Sequence, residues 1–182
     1  MLLEDETAAR ELSRMFDHVL VDEYQDTNIL QAKILRGMRT GNDNIMIVGD
    51  DAQSIYRFRG ATVRNILDFP KQFEGTAIVT LEQNYRSTVP ILETANRVIA
   101  QARERYTKDL WSEKEHGQLP RLVTCTDETQ QDGFVIDRVL THYEQGVPLR
   151  RQAVLFRAAH LSDSLEVELT RRNIPYLSLI HI

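Results

Sequence analysis

The chain has 182 residues, 42% hydrophobic and 27% charged, with a formal net charge of −5 at pH 7. That length fits one compact domain or parts of two, and the composition is globular rather than disordered; the acidic balance is not that of a general polyanion binder, although a local basic groove remains compatible with it. A single cysteine, Cys125, excludes a disulfide framework and a cysteine-based metal site, no apolar run reaches the about 18 residues a membrane span requires, and the opening Met1-Leu2-Leu3-Glu4-Asp5-Glu6 lacks the order of a signal peptide, so a cytoplasmic, reducing compartment is expected.

In chain order, a charged and moderately amphipathic helix over 4–16 leads into the apolar run Phe16 to Val21, which predicts a buried strand ending in Asp22-Glu23. Residues 28–39 read as a helix with Ile29, Leu30, Ile34, Leu35 and Met38 on its inward stripe. After the turn Gly41 to Asn44, Ile45-Met46-Ile47-Val48 reads as a second strand, short and apolar enough to be buried on both faces. It ends in Gly49-Asp50-Asp51-Ala52-Gln53-Ser54-Ile55-Tyr56-Arg57-Phe58-Arg59-Gly60. A short helix over 61–69 is expected to stop at Pro70, and Ala77 to Leu81 reads as a third strand running into Glu82-Gln83-Asn84-Tyr85-Arg86-Ser87-Thr88. Residues 89–105 have helical spacing, with Pro90 suited to the first turn.

A polar stretch without a clear period, Tyr106 to Pro120, holds the only tryptophan, Trp111. Beyond it the pattern predicts a strand at 121–125, a helix over 128–145 with Phe134, Val135, Val139 and Tyr143 inward, a strand at 152–157, a helix over 161–173, and a strand opening at Ile174. The expected fold class is α/β.

Three buried strands that each end in a polar cluster obey the rule that open α/β sheets bind ligands beyond the carboxyl ends of their strands. Adjacent carboxylates at such a strand end suit an NTPase, one on Mg²⁺ and one near the attacking water. The same residues have plainer readings. Asp22 and Glu23 can cap the following helix, Tyr56 and Phe58 can be half-buried packing residues, and Arg86 can be a surface ion-pair partner. Asp51 reads as a solvated turn residue. The basic residues Arg97, Arg103, Arg105 and Lys108 read as a solvated helix face, and the five histidines show no ligand spacing.

Asp22-Glu23-x-Gln25-Asp26, Gly49-Asp50-x-x-Gln53-Ser54-Ile55-Tyr56 and Gln83-Asn84-Tyr85-Arg86-Ser87 resemble, in type, order and spacing, motifs II, III and IV of the UvrD/Rep/PcrA-type superfamily 1 DNA helicases. The resemblance covers almost the whole chain. It implies parts of two RecA-like, P-loop NTPase parallel-sheet domains, 1–83 and 84–182, with Tyr85 and Arg86 at the cleft between them. It implies that Asp22 holds Mg²⁺, that Glu23 is the general base, and that Gln53 senses the γ-phosphate of ATP. Tyr85 would stack on the adenine, and Arg86 would be the arginine finger. Tyr56, Phe58 and Arg59 would grip single-stranded DNA, with Arg59 bridging that grip to the Asp22-Glu23 end of the sheet.

The activity implied is ATP-driven 3′–5′ translocation on single strands and unwinding at duplex junctions, in repair or replication restart, with accessory repair proteins as further partners. The 182 residues contain no G-x-x-x-x-G-K-[ST] phosphate cradle and no motifs V and VI. Ser178 to Ile182 depart from the family's Gly-Gly-aromatic continuation. These departures lead us to expect an internal fragment that is inactive in isolation. A non-catalytic module binding single-stranded DNA or protein is the competing expectation.

Overall fold

The computed structural model describes residues 5–178, and the chain divides into two compact units, one up to Pro120 and one from Arg121. The expectation about the C-terminal end therefore falls mostly outside the described residues.

The first unit is built on one β-α-β element. Strands β1 (Val19–Val21) and β2 (Ile45–Ile47) pair in parallel with Val19 opposite Ile45 and Val21 opposite Ile47. Backbone bonds from Val48 N–H to the Val21 carbonyl (2.8 Å) and from Tyr24 N–H to the Val48 carbonyl (3.0 Å) carry the pairing past both strand ends. Two parallel strands need a crossover connection, and helix α2 (Ile29–Gly37) supplies it. Asn28 caps α2 reciprocally with Gln31, each side chain bonding the other's backbone N–H, which satisfies two donors the first turn would otherwise leave open.

Helix α1 (Glu6–Arg14) precedes β1 and starts on Asp5, whose carboxylate accepts from the N–H groups of Thr7 and Ala8. The buried Arg39 joins the ends of α1 and α2. Its guanidinium donates to the carbonyls of Ser13, Phe16 and Met38 and to Asn42 Oδ1. Helix C-terminal carbonyls carry partial negative charge, so this cation is satisfied without a carboxylate.

One face of the sheet buries Val21, Ile45 and Ile47 against Tyr24, Ala32, Ile66, Phe69 and Phe73. Phe69 stands edge-on to Tyr24 at 5.6 Å and lies 4.7 Å from Phe73, the spacing at which aromatic pairs add to simple area burial. The other face leaves Leu20 and Met46 exposed, so alternation, not burial on both faces, describes these strands. In α2 the inward residues are Ala32 and Leu35, while Ile29 and Leu30 are exposed.

Pro70 does not end a helix. It occupies the first turn of α4 (Phe69–Gln72), which follows α3 (Arg64–Leu67) after a break at Asp68. The first turn needs no N–H from residue 70, so proline is tolerated there. Helix α5 (Val89–Ile99) has Pro90 in its first turn as expected and buries Leu92, but ends six residues earlier than its apolar spacing suggests.

The second unit packs α6 (Glu128–Glu144) against α7 (Asp163–Arg171) around Ile136, Leu165, Leu169 and Ile174. The inward face of α6 runs through Asp132 and Ile136, whereas Phe134 and Tyr143 are exposed. The strands expected at 77–81, 121–125 and 152–157, and from Ile174, are not formed among the described residues. Their apolar character is real, but Leu122 is 96% and Leu155 92% exposed. A strand is defined by hydrogen bonds to a neighbour, and these segments have none alongside. The described fold is thus mixed α/β with one two-stranded parallel sheet.

Candidate active site and nucleic-acid interface

The carboxyl ends of β1 and β2 lie side by side, so the polar clusters that follow them converge. Asp22 and Glu23 are both exposed at the end of β1. One Asp22 oxygen accepts from the Glu23 N–H at 2.8 Å; no other bond engages this carboxylate among the described residues. Glu23 sits at φ 49°, ψ 42°, a left-handed conformation that costs a residue with a side chain about 1–2 kcal/mol. The turn 24–26 that follows, with Tyr24 and Gln25 buried, holds it there.

Gln25, 1% exposed, is the centre of the arrangement. Its Nε2 donates to Glu23 Oε2 (2.6 Å), and its Oε1 accepts from the Asp50 N–H (3.0 Å). Asp50 Oδ2 in turn accepts from Gln53 Nε2 at 2.9 Å. Four residues from two strand ends therefore form one chain of hydrogen bonds, Glu23–Gln25–Asp50–Gln53. Gly49 is a spatial requirement of this chain. A Cβ at that position would lie 2.6 Å from Gln25 Oε1 and 2.9 Å from Ile66 Cδ1.

Asp51 is not solvated. Its side chain is 4% exposed, and Lys108, itself 12% exposed, donates to Asp51 Oδ1 at 3.0 Å and also bonds Asp50 Oδ1. The Tyr106 N–H donates to Asp51 Oδ2 (3.0 Å), and the Tyr106 hydroxyl to the Ile66 carbonyl (3.1 Å). Burial works to raise the Asp50 carboxyl, but the hydrogen bonds from Lys108 and Gln53 and the Lys108 charge hold it below the ordinary carboxylate value. Burial likewise works to lower the Lys108 ammonium, and its bonds to Asp50 and Asp51 carry it above the ordinary lysine value. Lys108 is thus not part of a solvated basic face. No local pattern marks it, because its partners lie 57 and 58 residues away.

Tyr56, Phe58 and Arg59 come together around the turn Arg57–Arg59. The two rings are 5.9 Å apart, and the Arg59 guanidinium lies 5.3 Å from the Tyr56 centroid and 5.5 Å from that of Phe58. Phe58 is 77% exposed. Phe58 is therefore not a packing residue. An exposed ring with a cation over it offers a face of the kind on which a base can stack. Arg59 is held by the rings and makes no ion pair with Asp22 or Glu23 among the described residues, so the bridge expected of it is not formed.

Tyr85 and Arg86 occupy a separate loop. Asn84 Oδ1 accepts from the N–H groups of Arg86 and Ser87, and Lys114 Nζ donates to the Arg86 carbonyl. Both side chains are exposed, the Tyr85 hydroxyl donating to Gln83 Oε1 at 2.7 Å. No hydrogen bond or ion pair among the described residues joins Arg86 to the Glu23–Gln53 chain.

Residues 1–74 match the UvrD/REP helicase N-terminal domain, and residues 79–180 match the UvrD-like helicase C-terminal domain. The chain belongs to the UvrD-like helicase family. It is 43% identical over 161 residues to DNA helicase II of Haemophilus influenzae, covering 88% of this chain and 22% of that protein. DNA helicase II of Escherichia coli is 40% identical over 161 residues, with the same coverage. ATP-dependent DNA helicase UvrD1 of Mycobacterium tuberculosis is 43% identical over 171 residues, 90% of this chain and 22% of that protein. The chain spans about a quarter of the length of the relatives it matches. In this UvrD-like chain the Lys108 clasp joins the two matched regions, since Asp50 and Asp51 fall in the first and Tyr106 and Lys108 in the second.

No helix among the described residues is long and apolar enough to cross a membrane, and no group of three or more potential metal-ligating side chains occurs among them. Mg²⁺ needs no such cage, since it is commonly held by one or two carboxylates and substrate phosphates. An exposed carboxylate with an unengaged oxygen, as at Asp22, fits that requirement.

Proposed function

We propose that this chain is the portion of an ATP-dependent DNA helicase that carries the hydrolytic carboxylates, the phosphate-sensing glutamine and a single-strand grip. It would comprise parts of two RecA-like domains divided near residue 84. The observation that carries the reading is the bonded chain Glu23–Gln25–Asp50–Gln53. It ties the carboxylate suited to activating water to the amide suited to reading a γ-phosphate, so a change at one is felt at the other.

In this reading Glu23 accepts the proton of the attacking water, and Gln25 fixes the orientation in which it does so. Asp22 is the residue that would hold Mg²⁺, whose charge, when it is bound, offsets that of the transferring phosphoryl group. Gln53, whose side-chain amide can both donate and accept, would bond the γ-phosphate. Tyr85 offers its exposed ring to the adenine, and Arg86 its planar fork to charge developing on the phosphoryl oxygens. Phe58, Tyr56 and Arg59 hold the single strand by stacking. Three-prime to five-prime movement, unwinding at duplex junctions and a role in repair or replication restart, with accessory repair proteins, rest on the resemblance to the family. The 182 residues hold no phosphate-cradling loop, so the chain alone is expected not to hydrolyse ATP.

The test is a chimera in which these residues replace the aligned segment of the M. tuberculosis UvrD1. DNA-stimulated ATP hydrolysis is expected, with Glu23→Gln keeping nucleotide binding and abolishing turnover. A folded chimera without hydrolysis overturns the helicase reading, and turnover surviving Glu23→Gln overturns the role of Glu23. A second reading, a nucleotide-independent DNA-binding module, is favoured by the exposed Tyr56–Phe58–Arg59 cluster, which needs no ATP to stack a base. Oligonucleotide binding by the 182-residue chain, lost in Phe58→Ala, would support it.

A further inference from the structure

Lys108 lies outside every motif recognised in the sequence, yet it is the most enclosed cation with a carboxylate partner among the described residues. Its ammonium is shared between two adjacent carboxylates, those of Asp50 and Asp51. Asp50 has two further bonds. Its Oδ1 accepts from the Ala52 N–H and its Oδ2 from Gln53 Nε2. Asp51 has one, from the Tyr106 N–H. An ammonium is a compact point charge with three donors, and here two of them fix the carboxylates on either side of one peptide unit.

We infer that Lys108 is a positioning residue. It clasps the loop 50–53 from the segment 106–108 and, through Asp50, sets the orientation of the Gln53 side-chain amide. Two consecutive acidic residues repel each other, and without a cation between them their side chains would turn apart into solvent. Asp50 would then no longer hold Gln53 Nε2, and the bonded chain from Glu23 would end at the Asp50 N–H. The clasp therefore also links the region matching the family's N-terminal domain to the one matching its C-terminal domain, at the loop that bears the phosphate-sensing residue. Its consequence for turnover rests on the helicase reading; the clasp itself does not.

The test uses amide NMR on the 182-residue chain, with the Gln53 side-chain signal assigned from Gln53→Ala. In Lys108→Met, the Gln53 side-chain amide is expected to move to the position of a solvated glutamine, and the Ala52 N–H, which donates to Asp50 Oδ1, to lose protection from exchange. The amides of Val21 and Ile47 should keep theirs. Lys108→Arg should restore both signals, and Lys71→Met, which removes an exposed pair with Asp68, should leave them unchanged. Should Lys108→Met not fold, Lys108→Gln removes the charge while keeping a donor, and the same signals decide. Gln53 and Ala52 signals unmoved by either substitution overturn the inference. So does loss of protection spread equally over β1 and β2, which would make Lys108 a general stabiliser.

In the UvrD1 chimera, Lys108→Met is expected to lower kcat about tenfold to a hundredfold with little change in KM for ATP, and Lys108→Arg to recover most of it. An unchanged kcat alongside a moved Gln53 signal would reject the catalytic consequence. An unsubstituted chimera without hydrolysis would reject the helicase reading and leave the clasp to be judged by NMR alone.

Discussion

Alanine at position 49 tests whether the bonded chain between the two strand ends is a rigid part of the fold. The added Cβ would stand 2.6 Å from Gln25 Oε1, 2.9 Å from Ile66 Cδ1 and 3.2 Å from the Tyr24 backbone nitrogen. The nitrogen cannot yield without breaking its bond to the Val48 carbonyl, and Ile66 is packed among Tyr24, Phe69 and Phe73. Gln25 must therefore move, and any movement weakens its bonds to Glu23 and to the Asp50 N–H. Overpacking of about 1–3 kcal/mol and two weakened hydrogen bonds, each losing roughly half of about 1 kcal/mol, set an expected cost of about 2–4 kcal/mol. Trp111, the only tryptophan, lies in the first unit, so its fluorescence in urea reports that unit alone. The midpoint should fall by about 1–2 M with an unchanged slope. In a Gln25→Ala background the tightest clash is gone, and the added cost of Gly49→Ala should drop by at least half. A cost below about 0.5 kcal/mol, or the same cost in both backgrounds, would refute the reasoning.

Phe58→Ala should weaken single-stranded oligonucleotide binding by about 1–3 kcal/mol, roughly fivefold to 150-fold, without sequence preference; titration by fluorescence anisotropy checks it, and unchanged affinity removes Phe58 from the grip. The clasp should also leave a signature in stability against pH. Asp50 is held below its ordinary value of 3.8, so its contribution is present above that value and fades as pH falls through the lowered one. Lys108 is raised above 10.5, so its contribution is present below that value and is lost as pH climbs through the raised one. The stability lost in Lys108→Met should then be constant from about pH 5 to 9 and shrink toward both extremes; an unchanged difference at about pH 3 counts against the pairing.

Several elements were legible from local pattern alone. The end of β1 at Asp22, the start of α2 at Asn28, Pro90 in the first turn of α5 and the long α6 depend on interactions within a few residues, which composition and spacing record directly. The same holds for the Tyr56–Phe58–Arg59 cluster, whose members meet because they share one turn. Identity of the family was also legible, since three long motifs stand in order along the chain.

The rest was decided in three dimensions. The apolar segments at 77–81, 121–125 and 152–157 have strand composition but form no strand, because a strand exists only through a neighbour's hydrogen bonds and apolar spacing does not say whether one lies alongside. Gln25 stands in its motif without an assigned role until the carboxyl end of β2 places Gly49 and the Asp50 N–H against it. Asp51 and Lys108 each read as solvated because single charges usually are. Their burial is stable only as a pair, and the pairing spans 57 residues of chain. Motifs and caps are properties of neighbours along the sequence and can be read there. The relay from Glu23 to Gln53 and the clasp that holds it are properties of neighbours in space, and only the tertiary fold brings those atoms within bonding distance.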